Sequence, residues 1–570
     1  MTISRPLLIQ SDGTLLLDER HPDYAATRNI VREIAELHKR PGVFHTYRIS
    51  PVTLWHAAAS GWTAERVIER LTSLSRFGLP RTLEEEIRSR MNRYGVLRLV
   101  ASSEARTLML MSRSPELLDR LRLRDDMAMA FDGEPTDNAI AVRPEARGWI
   151  KRKLAELGYP VIDAAGYRAG RALDVQLRGR TLAGQPIRLR DYQAEAVEAF
   201  LGDDVHDGGS GVVVLPCGSG KTWVGMAALA RLKCETLILT PNRVSVSQWI
   251  EEILRNTTLK EADIGEYTGD AKNVRPVTVA TYQILTHRRS KEEDYPHWQL
   301  FVNREWGLIV YDEVHLLPAP VFRMTADLQA TRRLGLTATL VREDGREEDA
   351  FALIGPKRYE VQWRAMEEKK WIAEAVCTEV RVPMEERAML DYTAAPKKLK
   401  HRIAGQNPLK TAVVRTLLNR HYGTPTLIIG QYLDQLHDLA NELSLPLITG
   451  EMPHSNRKQL FKRFKDGEIG VLVVSKIANF AVDLPDAAVA IQVSGSYGSR
   501  QEEAQRLGRI LRPKASGISA SFYSVVSDGT DEIEFSRNRG RFLLEQGYPY
   551  TVDRWIKADA PATPQEKVGP

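Results

Sequence analysis

Two successive series of short apolar runs constrain this chain more than any other feature. From about Pro186, the runs Val212–Leu215, Thr236–Thr240, Val277–Ala280, Leu308–Tyr311 and Arg333–Leu336 alternate with helical patterns. From about Pro425, the runs Thr426–Ile429, Pro446–Ile448, Val471–Val474, Ala488–Val493 and Ala520–Val526 do the same. Near-continuous Val, Ile and Leu runs with helices between them mark parallel sheets buried on both faces. The expected fold class is therefore α/β, with two tandem parallel-sheet units. The chain has 570 residues, more than those two units need, so further modules are expected upstream.

The upstream part reads as short helices with clear punctuation. Ser50-Pro51 is a cap and first-turn pair, and Gly61 ends that helix. Thr63 caps the next, whose Val67, Ile68, Leu71 and Leu74 recur at helical spacing up to Gly78. Thr82 and Glu85 have the spacing of a capping box, and that helix stops at Gly95. Gly95–Ala101 and Thr107–Ser112 look like a hairpin. Helices followed by a hairpin suggest a small α+β unit of winged-helix type, read as a docking module in preference to a nucleic-acid binder. After a polar break at 132–137, Pro144–Leu157 is an expected helix inside a second small module. The Pro- and Ala-rich tail from Lys557 is expected to be disordered.

Composition narrows the classes. The net charge of +5 permits phosphate binding without demanding it. No apolar run reaches about 18 residues, so no membrane span is expected. The start lacks a basic-then-apolar signal pattern, and the three cysteines, Cys217, Cys234 and Cys377, are scattered. A disulfide framework or four-Cys zinc site is not expected, and a reducing, cytoplasmic setting is.

The strongest chemical signal is Gly218-Ser219-Gly220-Lys221-Thr222, between a strand and a helix. Glycines let backbone N–H groups curl around phosphate oxygens, and the helix N-terminus adds its positive end. Lys221 would reach the β and γ phosphates of ATP, and Thr222 would ligate Mg2+. The full phosphate-loop pattern has a glycine five residues before Gly220; Leu215 stands there. Asp312-Glu313-Val314-His315 ends a strand of the same unit. Asp312 can hold the metal, and Glu313 can polarise the attacking water as general base. In the second unit, Gln505, Gly508, Arg509 and Arg512 form a pattern whose two arginines could stabilise charge on a transferred phosphoryl group. The bland alternative for them is a solvated helix face.

With Leu336-Thr337-Ala338-Thr339 between them, these motifs in this order resemble superfamily 2 helicases. Several runs resemble the XPB family in particular: Leu215–Thr222, Asp312–His315, Leu336 through Arg342-Glu343-Asp344, Leu353–Lys357, Ser475-Lys476 to Asp483-Leu-Pro485, and Gln505–Arg512. Arg5-Pro6-Leu7 with Asp12-Gly13, and His45 to Ala59, extend the likeness upstream. The resemblance implies two RecA-like motor domains, 186–365 and 366–556, with a thumb near 384–408. It implies a partner-docking extension at 1–125 and a damage-recognition-like domain at 126–185, and leaves 557–570 as tail. It places Arg190 and Gln193 at adenine, and Pro216, Cys217 and Asp483 with the phosphate loop around the nucleotide. It gives Thr240 and Thr281 contacts to the nucleic-acid backbone. Thr337 and Thr339 would couple hydrolysis to movement, and Arg342, Glu343 and Asp344 would open the duplex. Lys397, Lys398 and Lys400, in an acid-free basic run, either grip DNA or form a plain surface loop.

The expected activity is 3′–5′ DNA unwinding driven by ATP and Mg2+, at junctions of single and double strands. An accessory protein such as a nuclease or regulatory subunit is an expected partner. Alternatives are a double-strand translocase, an ATP-gated recruitment platform, or an RNA substrate. Backbone contacts alone do not separate DNA from RNA.

Overall fold

The structure, a computed structural model, describes residues 5–39, 43–102, 108–134, 136, 138–180, 184, 186–202, 208–216, 218–287, 296–298, 300, 304–317, 321, 331–338, 347–361, 363–369, 371, 375–475, 487–495, 520–537 and 550–555. The chain divides into two compact units, Met1–Gln362 and Trp363–Pro570.

The described residues of the first unit form three sheets. Leu7–Ile9, Thr14–Asp18, Phe44–Arg48 and Glu36–Lys39 form an antiparallel sheet in that spatial order. Four helices accompany it: Tyr24–Ile34, Pro51–Ala59, Ala64–Leu74 and Arg81–Arg93. Ser50 caps the second by accepting from Thr53 N–H, and Thr63 caps the third by accepting from Arg66 N–H. The expected Thr82–Glu85 box does not form. The helix starts earlier, at Arg81, because Pro80 supplies the extended N-cap backbone (φ −59°, ψ 134°) and Thr82 falls inside the first turn.

The expected hairpin is present as Leu97–Ala101 against Leu108–Ser112. It does not close a winged-helix unit. It is the centre of a second sheet, flanked by Ala139–Val142 and Phe131–Asp132 on one side and Ile162–Ala164 on the other. Two strands alone are marginal in water. Here Leu97, Leu99, Leu108 and Leu110 share one core with Ile150 and Leu154 of the helix Arg147–Glu156.

The third sheet carries seven strands, all parallel, in the spatial order Ile264–Tyr267, Val277–Thr281, Thr236–Thr240, Leu308–Asp312, Arg332–Thr337, Ser210–Val214 and Lys357–Glu360. The five central strands follow the apolar runs of the sequence. The two edge strands were not legible there, because Lys357-Arg-Tyr-Glu and Ile264-Gly-Glu-Tyr mix polar residues into half-buried positions. Residues 165–180 strap the start of this sheet. Arg171 N–H donates to Glu305 O at 2.9 Å and Leu173 N–H to Lys233 O at 2.9 Å. Gly170 (φ +74°) and Gly307 meet so closely that a Cβ on Gly170 would lie 2.3 Å from Gly307 Cα.

Buried charge ties the small modules to the large sheet. Asp163, at 7% side-chain exposure, takes Arg147 at 2.7 Å and Lys151 at 2.9 Å. The Arg147 and Arg333 guanidiniums lie 5.7 and 5.6 Å from the Tyr167 ring centre. Burial raises the Asp163 pKa, but Lys151 and Arg147 outweigh it and hold the carboxyl far below its usual range. Burial also lowers Lys151 to about 8, even against the pull of Asp163. Nearby, His56 Nδ1 accepts the Lys357 N–H at 3.1 Å, and its ring meets Phe351 edge-on at 5.0 Å. Lys357 and Arg32 hold Glu360 at 2.7 and 3.3 Å.

The second unit repeats the seven-stranded parallel plan: Leu447–Ile448, Val471–Ser475, Thr426–Gly430, Val489–Gln492, Ala520–Ser527, Ala375–Val382 and Tyr550–Arg554. Residues 384–408 include two helices, Glu386–Ala394 and Lys397–Gly405. Tyr392 anchors them by accepting Asp531 N–H at 2.8 Å. Lys410, 1% exposed, donates to Glu532 at 2.7 Å and to Val493 O at 2.9 Å.

Two stability predictions follow from the buried charges. Asp163→Ala leaves two buried cations uncompensated and should cost about 3–5 kcal/mol in urea unfolding of the first unit; a loss below about 1 kcal/mol would contradict the account. Burial, and secondarily Lys357, push His56 down to about 3, so the folded ring stays neutral. The unfolded chain takes up that proton near 6.5. Stability should therefore fall as pH drops from about 6.5 toward 3, by up to about 1.4 kcal/mol per pH unit from this group. His56→Asn keeps an acceptor but does not titrate, and should flatten that part of a pH series of unfolding curves.

Candidate nucleotide and nucleic-acid sites

In a parallel sheet every strand ends on the same edge, so residues distant in sequence meet there. The edge of the first unit collects the ends of Ser210–Val214, Thr236–Thr240, Val277–Thr281, Leu308–Asp312 and Arg332–Thr337.

The phosphate loop leaves this edge. Leu215, at the position where the general pattern has glycine, is fully buried, and its N–H donates to Thr337 O at 2.9 Å. The strand pairing runs one residue into the loop, which is why an apolar residue fits. Gly218 and Gly220 then adopt φ of 78° and 80°. A Cβ on Gly220 would lie 2.7 Å from Gln193 Nε2. Gly220 is the N-cap of the helix Lys221–Leu232 and gives it no side-chain cap; Trp223 N–H turns back to Gly220 O at 3.0 Å, and the positive end of the helix meets the loop. The helix Asp191–Leu201 clamps the loop: Tyr192 Oη and Gln193 Nε2 both donate to Ser219 O, the latter at 3.0 Å. Gln193 Oε1 accepts Arg190 N–H at 2.9 Å. Ser219 Oγ donates to Pro216 O at 2.5 Å. Arg190, Gln193, Pro216, Gly218, Ser219, Gly220, Lys221 and Thr222 thus belong to one locus.

The carboxylates sit opposite. Lys221 Nζ donates to Glu313 Oε1 at 2.6 Å. Glu313 has left-handed backbone (φ 51°, ψ 54°), a strained conformation for a residue with a side chain. Among the described residues its Oε2 has no hydrogen-bond partner, with His315 Nδ1 3.6 Å away. His315 Nδ1 also meets Thr337 Oγ1 at 2.5 Å, which joins the expected coupling motif to the carboxylate pair. Burial raises the Glu313 pKa, but Lys221 and then His315 outweigh it, so Glu313 stays ionised. Asp312 moves the other way: burial first, then the Glu313 charge, push its pKa up. Sequence reasoning missed two partners of Asp312. Trp249 Nε1 donates to its Oδ2 at 2.9 Å, and Tyr282 Oη to its carbonyl oxygen at 2.8 Å. Trp249 lies in no motif; Tyr282 belongs to the Thr281-Tyr282 pair expected at the nucleic-acid backbone, and nothing in its spacing points to Asp312.

Among the described residues, no group of three His, Cys, Asp or Glu side chains is placed to hold a metal by itself. One carboxylate and one hydroxyl, Asp312 and Thr222, suit Mg2+, which keeps waters and takes phosphate oxygens as further ligands. A Glu313 oxygen with no hydrogen bond among the described residues suits a general base.

The expected backbone contacts are less direct. Thr240 is fully buried, and its hydroxyl donates to Asn242 O at 3.1 Å. The Thr281 hydroxyl caps the helix Tyr282–Thr286 by accepting Ile284 N–H at 3.4 Å. Both hydroxyls serve the chain itself. In the second unit Lys397 is exposed, and Lys400 lies over the Tyr392 ring at 5.2 Å. The Lys398 side chain, and all of Cys217, Thr339, Arg342, Glu343, Asp344, Asp483, Gln505, Arg509 and Arg512, lie outside the described residues. No helix of the described residues is long and apolar enough to cross a membrane.

Known families match along most of this frame. The model described as ERCC3/RAD25/XPB C-terminal helicase matches residues 366–563. That of the type III restriction enzyme res subunit matches 186–342. A model described as helicase conserved C-terminal domain matches 7–131, in the N-terminal part. A Kineococcus radiotolerans protein named DNA 3′-5′ helicase XPB is 51% identical over 547 residues, 96% of each chain. The Mycobacterium tuberculosis protein of the same name is 49% identical, over 96% of this chain and 97% of its own. The Enterocytozoon bieneusi general transcription and DNA repair factor IIH helicase/translocase subunit XPB is 31% identical, over 96% and 92%. Sharing about half its residues with two of these relatives over nearly its whole length, the chain belongs to the XPB family of helicases.

Proposed function

We propose that this protein is an ATP-dependent 3′–5′ DNA helicase that acts in DNA repair. The observation that carries the reading is the Lys221–Glu313 pair beside Asp312 at the phosphate loop, in a chain 51% identical to a protein named for that activity. Arg190 and Gln193 would seat the adenine. The backbone of the phosphate loop and the positive end of the helix Lys221–Leu232 would receive the phosphates, and Lys221 would turn from Glu313 to the β and γ oxygens. Thr222 and Asp312 would hold Mg2+, which supplies neutralising charge at the phosphates. Glu313, released from Lys221, would take the proton of the attacking water. The roles of Gln505, Arg509 and Arg512 at the transferred phosphoryl group, and of Asp483, Thr339 and Arg342-Glu343-Asp344 in movement and opening, rest on their place in the sequence. An accessory protein such as a nuclease would dock on the N-terminal modules, and the site of work would be the DNA of the cytoplasm. The name of the 31% relative, a helicase/translocase subunit, favours one second reading, translocation on duplex DNA with little strand separation.

A tailed-duplex assay tests direction. Substrates with a 3′ single-stranded tail should open with ATP and those with a 5′ tail should not; matched RNA duplexes should stay closed. Triplex displacement without unwinding would select the second reading. Lys221→Ala and Glu313→Gln should each lower ATPase kcat by about 10²- to 10⁴-fold, and unwinding retained by either would sink the assignment. Lys397→Ala should reduce the slope of log affinity against log salt by about 0.7–0.9, the loss of one phosphate contact.

A further inference from the structure

Asp312 is gripped by two aromatic donors, one on the side chain and one on the backbone. Both come from elements that begin at the expected nucleic-acid contacts. Trp249 lies on the helix Arg243–Asn256, which starts two residues after Thr240-Pro241 and is capped by Asn242 accepting Ser245 N–H at 2.9 Å. Tyr282 immediately follows Thr281 and opens the next helix. Each ring is 2% exposed, and their polar tips reach Asp312 at 2.9 and 2.8 Å. Trp249 touches a third element as well. A Cβ on Gly225, in the helix that follows the phosphate loop, would lie 2.6 Å from Trp249 Cη2. One indole therefore spans the helix after Thr240, the phosphate-loop helix and the metal-side carboxylate.

A buried indole N–H needs an acceptor, and a backbone carbonyl would satisfy it. Here it points at a carboxylate, where a hydrogen bond is stronger and fixes the orientation of the acceptor. If the ring served packing alone, phenylalanine would replace it with little consequence. The N–H and the O–H are the groups that packing does not explain.

We propose that Trp249 and Tyr282 are positioning residues that link DNA engagement next to Thr240 and Thr281 to the aim of Asp312 at the metal. This rests on the reading of those residues given under Proposed function. A shift of either helix on binding DNA moves a donor that Asp312 must follow, and metal binding at Asp312 resists that shift. The linkage is reciprocal: whatever factor metal–nucleotide adds to DNA affinity, DNA adds to metal–nucleotide affinity.

The test uses the full chain with Trp249→Phe and Tyr282→Phe, each of which removes one donor and keeps the ring. Affinity for a fluorescent 3′-tailed DNA is measured without nucleotide and with Mg2+ plus a non-hydrolysable ATP analogue, with thermal unfolding as the check on folding. The ratio of the two affinities should fall about fivefold or more toward one in Trp249→Phe, and the Mg2+ concentration that half-activates the ATPase should rise by a similar factor. The KM for ATP at saturating Mg2+ should move less than about twofold, a split that general loosening of the core would not produce. A ratio retained in a folded Trp249→Phe overturns the inference. If Trp249→Phe does not fold, Tyr282→Phe decides it, with a retained ratio again fatal. A wild-type protein with no such ratio to lose would instead bring down the functional reading beneath it.

Discussion

Two adjacent carboxylates end the strand Leu308–Asp312 largely out of water, and the surrounding structure answers the cost of placing them there. Like charges so close together repel strongly when solvent is scarce. Lys221 answers Glu313 directly at 2.6 Å. Asp312 receives an indole N–H, and its pKa rises all the same. The lysine that partners Glu313 is also the residue the phosphate loop needs, so the ion pair and the loop are built from one set of parts. Strain joins charge here. Glu313 sits in a left-handed conformation that only a well-determined surrounding can hold, and the parallel strands on either side provide it.

The same edge shows how the sheet order serves the chemistry. Arg332–Thr337 lies between Leu308–Asp312 and Ser210–Val214, so Thr337 can reach His315 with its hydroxyl and Leu215 with its carbonyl. A residue of the expected coupling motif thus touches both the carboxylate side and the phosphate side. Tyr192 and Gln193 hold the loop from a third direction through Ser219 O. The site is clamped from several elements, each through one or two named hydrogen bonds.

Much of this could be read from the amino-acid order, for a physical reason. Most interior parallel strands are buried on both faces, so their apolar runs are unbroken and their limits fall within a residue or two of those observed, as at Thr236–Thr240; the interior strand Ala375–Val382, broken by Thr378, Glu379 and Arg381, went unread. Edge strands such as Lys357–Glu360 and Tyr550–Arg554 keep polar side chains and leave no such run. Glycines and short polar residues marked the loop and the caps, because their backbone needs are local. The hairpin at 97–112 was visible too, but its membership of a sheet with Ile162–Ala164 is a long-range pairing that local pattern does not encode. The contacts of Trp249 and Tyr282 with Asp312 were invisible for the same reason, since a buried aromatic looks like core until its polar tip is seen.

The strand Lys357–Glu360 is the outer rail of a sheet that would otherwise offer bare backbone to any passing chain. The helix Pro51–Ala59 stands over it, with His56 taking the Lys357 N–H and Trp55 pressed on Phe351. The apolar core of the first seven-stranded sheet itself includes Val52, Trp55 and Ala155. The N-terminal region is thus a flank of the engine rather than an attachment to it. A shortened chain cut near residue 186 would keep every motif of the first sheet and expose both an open rail and a torn core. For an edge strand of this kind, self-association is the physical outcome. Modularity drawn at motif boundaries is therefore not modularity of folding in this protein.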